Sequence, residues 1–446
     1  MVPKVVKYFN NKIKIANRIK ESELIKGFFS SAIWGGFSKV IAVLVTMYCS
    51  NKLTQEGFGE FSFIRNTLNM VIVICATNFS TLAVKFAAES ISSTDSLKRL
   101  LLLFEFTLFV SIVAGVITVA VPYDILQSFT GGKSVAFYMK MVGLCLPVFI
   151  IQPLVSSIFR GYKQFNLVGI YETVNIIFYF GLIVVGISLF DYKGAIWALL
   201  LYYFLFSVSG VLLLVSYNKK THYIVKVENI REQKQSIFKM IIPIFLMSFI
   251  EAPLIWVAQA EIGRSASYAL VGSLSVILTI RYLIQIVPTY FYQSFIPHVT
   301  LLNSEKKFNS YFRKFNQVAL MLFLASLFLI PFLILFGKLL LSIFNKSYIE
   351  CYDSFRLSVY IIPLLLFSTL YKLNMMIREH QVCMLYMTVI SSILFLSLFF
   401  VFTNSCDNIL DAFFYAQATQ YSVQLICSLS RYLKDKRFCL NSYTHF

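Results

Sequence analysis

Four basic residues sit where membrane-spanning segments should carry none. Lys39, Arg65, Lys140 and Arg281 all fall inside long apolar runs. A charge at the bilayer centre costs about 2.5–3.5 kcal/mol on insertion scales, so such a residue faces a partner or a water-filled cavity. Lys39 and Arg281 lie about a dozen residues from either end of their runs, near the midplane at about 1.5 Å per helical residue. Arg65 and Lys140 lie about five residues from one end and can also snorkel to water. One midplane cation in each half of the chain suggests a cavity between the halves that attracts an anion. The competing reading pairs Lys39 and Arg281 with Glu251 or Glu105, and makes Arg65 and Lys140 snorkelling anchors. Glu251 stands mid-run between Pro243 and Pro253, and prolines there free carbonyls and bend helices. That acid suits a coupling-ion site for a proton or sodium, or a hinge, or simple compensation of the cations. Gln417, Gln420 and Gln424 form one stripe of the last run. They could bond sugar hydroxyls or neighbouring helices.

Composition excludes most other chemistry. The chain has 446 residues, 58% hydrophobic and 13% charged, against about 25% charged in soluble domains. Its mean hydropathy is +0.74, that of an integral membrane protein in a lipid bilayer. The net charge of +18 is accounted for by loop positions, not by nucleic acid. No Walker lysine loop, Ser-His-Asp set or His-Glu-x-x-His motif appears, so the reading is not an enzyme, with no cofactor and no metal site. His222, His298, His380 and His445 read as solvated. The eight cysteines lack metal spacing, and only Cys351 and Cys406 fall in loops on the same predicted side.

The elements that position the cations are apolar helices. Twelve runs lie near 28–49, 60–80, 100–121, 135–158, 167–190, 194–216, 238–260, 268–294, 315–337, 355–376, 381–403 and 408–430. Only helices satisfy backbone groups over runs of this length. In the first, Ser31, Gly35, Ser38, Lys39, Ala42 and Thr46 fall on one stripe at about 100° per residue. Trp34, Phe37, Val40, Ile41, Leu44 and Tyr48 cover the other side, toward lipid. Of 39 Lys and Arg, 28 fall in one set of loops and tails and 7 in the other. The positive-inside rule then places both termini in the cytoplasm. Residues 1–26 form a basic amphipathic segment or a disordered tail. A lobe at 27–216, a basic linker at 217–237, a second lobe at 238–432 and a tail at 433–446 complete the layout. The expected fold is all-α, with about twelve transmembrane helices in two six-helix lobes around a central cationic cavity.

Several short motifs carry a resemblance over essentially the whole length. They are Lys26-Gly27 before the lysine-bearing first helix, Leu53-Thr54-Gln55-Glu56-Gly57-Phe58-Gly59, Val84-Lys85-Phe86-Ala87-Ala88-Glu89 and Phe159-Arg160-Gly161-Tyr162-Lys163-Gln164-Phe165. With them the chain resembles the Wzx-type O-antigen and polysaccharide flippases of the multidrug/oligosaccharidyl-lipid/polysaccharide exporter superfamily. The resemblance implies alternating access and an oligosaccharide unit on undecaprenyl diphosphate as substrate. It also implies the bacterial cytoplasmic (inner) membrane and other polysaccharide-assembly membrane proteins as partners. Related lipid II flippases place cations in helices one, two and eight, where Lys39, Arg65 and Arg281 fall here. The rival readings are a drug/cation antiporter of the same superfamily and a membrane polysaccharide polymerase. An antiporter would need acids to dominate the cavity, and a polymerase a sizeable outer loop.

Overall fold

A computed structural model of the chain describes residues 33–76, 79–90, 94–221 and 231–441. The basic segment 1–26, Lys26-Gly27, Ser31, His222, His445 and parts of the linker and tail lie outside them. The described chain is all helix, joined by short turns. The first lobe holds α1 (Ile33–Lys52), α2 (Gln55–Cys75), α3 (Ser80–Ser90), α4 (Thr94–Ala120), α5 (Tyr123–Thr130), α6 (Lys133–Phe149), α7 (Ile151–Gly161) and α8 (Phe165–Thr221). The second holds α9 (Arg231–Ser265), α10 (Tyr268–Ser304), α11 (Phe308–Phe344), α12 (Tyr352–Ile377), α13 (Gln381–Thr403) and α14 (Ile409–Asn441).

These elements give the expected two lobes of six spans, with differences in detail. α2 and α3 form one broken crossing, and Ala76 at the break has φ −138°. α6 and α7 form another, interrupted at Ile150 between Pro147 and Pro153. A proline removes one helix hydrogen bond and crowds the carbonyl four residues back, so two prolines six residues apart weaken that turn. α8 is two crossings joined at Phe190 and Asp191, the latter at φ 53°. Helix α9, by contrast, continues from Arg231 to Ser265 through both of its prolines. The short helix α5 lies between the runs expected at 100–121 and 135–158. α14 runs past the expected end at 430, and Tyr432, Asp435 and Cys439 are buried. All eight cysteines are free, Cys351 and Cys406 included.

The lobes meet tightly at the end opposite the termini. Thr54 caps α2, its hydroxyl accepting from the Gly57 amide at 3.1 Å. Phe58 is fully buried, its ring edge-on to Tyr348. A side chain at Gly59 would fall on the Tyr268 carbonyl, so only glycine lets α2 and α10 approach this closely. Trp256 stacks between Phe63 and Phe129 and donates from Nε1 to Thr67 Oγ1 at 2.8 Å. The Tyr268 hydroxyl donates to the Thr130 carbonyl. Ser50 and Asn51 at the end of α1 donate to the Phe344 and Ile343 carbonyls, both at 3.0 Å. Much of the Leu53–Gly59 motif is therefore spent on sealing this end.

Candidate functional site: a cationic cavity between the lobes

The stripe on α1 becomes the wall of a cavity. Gly35, Ser38, Lys39, Ala42 and Thr46 all line it, while Phe37, Val40 and Leu44 are exposed on the outside. Trp34 departs from expectation: it lines the cavity instead of facing lipid. Its ring occupies the space that a side chain at Gly169 of α8 would fill, and that contact sets its direction. Ile41 is also turned inward and buried. The cavity has a volume of about 1430 Å³ and is walled by α1, α2, α3, α7, α8, α9 and α10. Its floor lies against the sealed end, where Asn66 Nδ2 donates to Gln259 Oε1 across the lobes at 3.1 Å. From there it extends toward the termini, to Arg160, Phe165 and Glu172.

Lys39 points into this space, exposed and without a side-chain partner among the described residues. Arg65 also lines it, donating to Thr46 Oγ1 at 3.0 Å with its guanidinium over the Phe61 ring. The single bond to a hydroxyl leaves most of the five guanidinium donors for a ligand. Near the termini end, Arg160 reaches Glu172 Oε1 at 2.7 Å, with 46% and 22% of the two side chains exposed. Among the described lining residues the cations are Lys39, Arg65 and Arg160, and Glu172 is the one carboxylate. The rest of the wall mixes aliphatic and hydroxyl side chains with amides and aromatics: Asn69 accepts from the Tyr203 hydroxyl at 3.1 Å, and Tyr179 packs on Tyr202 with ring centres 4.5 Å apart.

The remaining sequence candidates lie elsewhere. Arg281 is 2% exposed inside the second lobe and donates to Gln417 Oε1 at 2.6 Å. It does not line the cavity beside Lys39, because the face of α10 that carries it packs inside its own lobe, where α14 supplies an acceptor. Neither Glu251 nor Glu105 pairs with Arg281 or Lys39. Glu251 lies 3.8 Å from Lys372 of α12, with 47% of its side chain exposed. Gln420 is buried in the second lobe, and Gln424 donates to Ser391 Oγ at 3.0 Å. Lys140 is half-buried on α6, outside the cavity. Sequence reasoning missed Glu172, Gln259 and the tyrosine wall as site residues. Arg160 was visible only as part of a motif, although its spacing of twelve residues from Glu172 across a short turn was a usable signal.

His380 is not solvated but joins a buried cluster at the termini end of the second lobe. Asp435 there accepts from Asn374 Nδ2 at 3.2 Å and lies within 3.4 Å of Arg378 and Arg431 and 3.1 Å of His380. Arg378 also bonds Asn303 and Cys439. The cluster thus fastens α10, α12 and α14 to one another.

Comparison with known proteins places this architecture. Over 91% of the chain, the fold superposes on 96% of a solved structure titled the inward-facing conformation of a multidrug resistance MATE family transporter of the MOP superfamily, with TM-score 0.72 at 14% identity. An outward-facing structure of such a transporter matches with TM-score 0.63 at 13% identity, over 94% of this chain and 97% of that one. No curated protein matches the sequence. A family model described as polysaccharide biosynthesis protein matches residues 24–301, more than half the chain and most of the cavity wall. On that match the chain belongs to the polysaccharide biosynthesis protein family, built on the fold shared with MOP-superfamily transporters.

Proposed function

We propose that the protein is a flippase that moves an oligosaccharide unit on undecaprenyl diphosphate between membrane leaflets by alternating access. The observation that carries the reading is the cavity: large, closed at one end, and lined by three cations against one carboxylate. An oligosaccharide cannot cross hydrocarbon unaided, and its diphosphate needs cationic partners in a site shielded from bulk water. Lys39 and Arg65 would take the diphosphate. Asn66, Asn69 and Gln259 offer amide donors and acceptors for sugar hydroxyls, and the tyrosines offer flat apolar faces. The lipid tail would stay in the bilayer. The termini would lie in the cytoplasm, so the cavity as described would load from the inner leaflet.

The test compares Lys39→Arg, Lys39→Ala and Lys39→Glu in cells that make the lipid-linked sugar. Surface polysaccharide, accumulated precursor and membrane protein level are the readouts. Lys39→Arg should keep most export; Ala should lower it at least tenfold, and Glu further, at unchanged protein level. Wild-type export from Lys39→Ala would remove Lys39 from the site. Resistance to cationic drugs conferred by the wild type and strengthened by Lys39→Glu would favour the antiporter instead.

A further inference from the structure

A second pocket, separate from the cavity, lies between α11 and α14 near the termini. It has a volume of about 390 Å³ and is lined by Asn309, Phe312, Arg313, Asn316, Gln317, Leu320 and Lys436. Arg313 and Lys436 have no acidic partner among the described residues. The carboxylate nearest in sequence, Asp435, is turned inward onto Arg378, His380 and Arg431. Asn316 Oδ1 accepts from the Tyr432 hydroxyl at 2.9 Å, which fixes the amide and leaves its NH2 group to donate.

The depth of this pocket is informative. Arg313 precedes Leu320 by about 10 Å along the helix. From Leu320 onward, α11 presents Phe323, Leu324, Leu327 and Phe328 as an exposed apolar face, the surface of a helix in contact with acyl chains. Two cations and three amides therefore sit where headgroups lie, with one leucine at the acyl edge. An anionic headgroup meets no competing acid among the lining residues, while a zwitterionic one would bring a third cation beside Arg313 and Lys436.

We propose that this pocket holds the headgroup phosphate of an anionic phospholipid from the leaflet nearest the chain termini. Arg313 and Lys436 bind the phosphate, Asn309, Asn316 and Gln317 bond the glycerol and ester oxygens, and Leu320 meets the first acyl carbons. The lipid thereby ties α11 to α14 beside the Asp435 cluster. The inference is independent of what the central cavity carries.

The test uses the purified full chain in detergent, titrated with dioleoyl phosphatidylglycerol or dioleoyl phosphatidylcholine and read by native mass spectrometry. Wild type should retain phosphatidylglycerol over phosphatidylcholine. Arg313→Gln with Lys436→Gln should weaken that retention by roughly thirtyfold. A control that removes the same charge from exposed positions outside the pocket, Lys434→Gln with Arg437→Gln, should keep it. Equal retention in the pocket variant and the wild type, or equal losses in the pocket variant and the control, would overturn the proposal. So would displacement of phosphatidylglycerol by millimolar inorganic phosphate, which would make this a site for a soluble anion.

Discussion

Gly59 offers a direct test of which end of the cavity is closed. Replacing it with alanine adds one carbon, and that carbon would meet the carbonyl of Tyr268, the first residue of α10. Both partners are helical backbone, so neither can step aside as a side chain would. Overpacking of this kind costs about 1–3 kcal/mol. The cost falls only on the state in which α2 and α10 touch; a state with this end open is unaffected. The equilibrium should therefore move toward that open state by a factor of roughly 5 to 160. Spin labels at Glu56 and Lys346, both exposed on opposite lobes at the sealed end, would report it in a variant with the native cysteines replaced. Gly59→Ala should add a longer-distance population and slow transport, with the protein still monodisperse. An unchanged distance distribution in a folded Gly59→Ala variant would refute the account of the seal.

Three further outcomes follow from the same packing. Gln417→Leu leaves the buried Arg281 without its acceptor and should cost about 2–3 kcal/mol, read as a lower melting temperature in detergent. Arg281→Leu with Gln417→Leu should melt higher than Gln417→Leu alone, and a double variant that melts lower would show the pair is not coupled. Asp435→Asn strips compensation from Arg378, Arg431 and His380 and should destabilise by about 3 kcal/mol; a wild-type melting temperature would refute the cluster's role. Impermeant thiol reagents should label cysteines placed at Lys163 and Lys346 from opposite sides of the membrane, and labelling from one side would overturn the topology.

The first helix was legible because a helix repeats its faces at a fixed angle. Once Lys39 is placed, Gly35, Ser38, Ala42 and Thr46 must share its side, and in the structure they do. Trp34 was misplaced by the same rule, which treats a large ring as lipid-facing and cannot see a glycine on another helix waiting to receive it. Arg281 shows the limit more sharply. Its depth followed from its distance to the span ends, but its direction depended on how α10 is rotated against α14, and no local pattern encodes that rotation. The breaks at Ala76 and Ile150 differ in kind: Pro147 and Pro153 flank the second, and only the polar pair Thr77-Asn78 follows the first, while the proline pair of α9 breaks nothing. Glu172 escaped notice because a carboxylate near a span end looks solvated until its arginine is known.

The sealed layer of Phe58, Phe63, Trp256 and Tyr268 also decides where a membrane voltage falls. Water in a wide cavity conducts, so the cavity sits close to the electrical potential of the solution it opens to. Nearly all of the drop is then concentrated across the dry aromatic layer. On the proposed function, a diphosphate reaching Lys39 or Arg65 in this state would cross little of the field, so its affinity should scarcely depend on voltage. On that reading the charge would cross the field only when the seal moves to the other side of it. Each uncompensated charge then contributes about 2.3 kcal/mol per 100 mV to the conformational switch, and not to binding. Turnover in vesicles should accordingly respond to an imposed potential while the ligand concentration for half-saturation stays fixed.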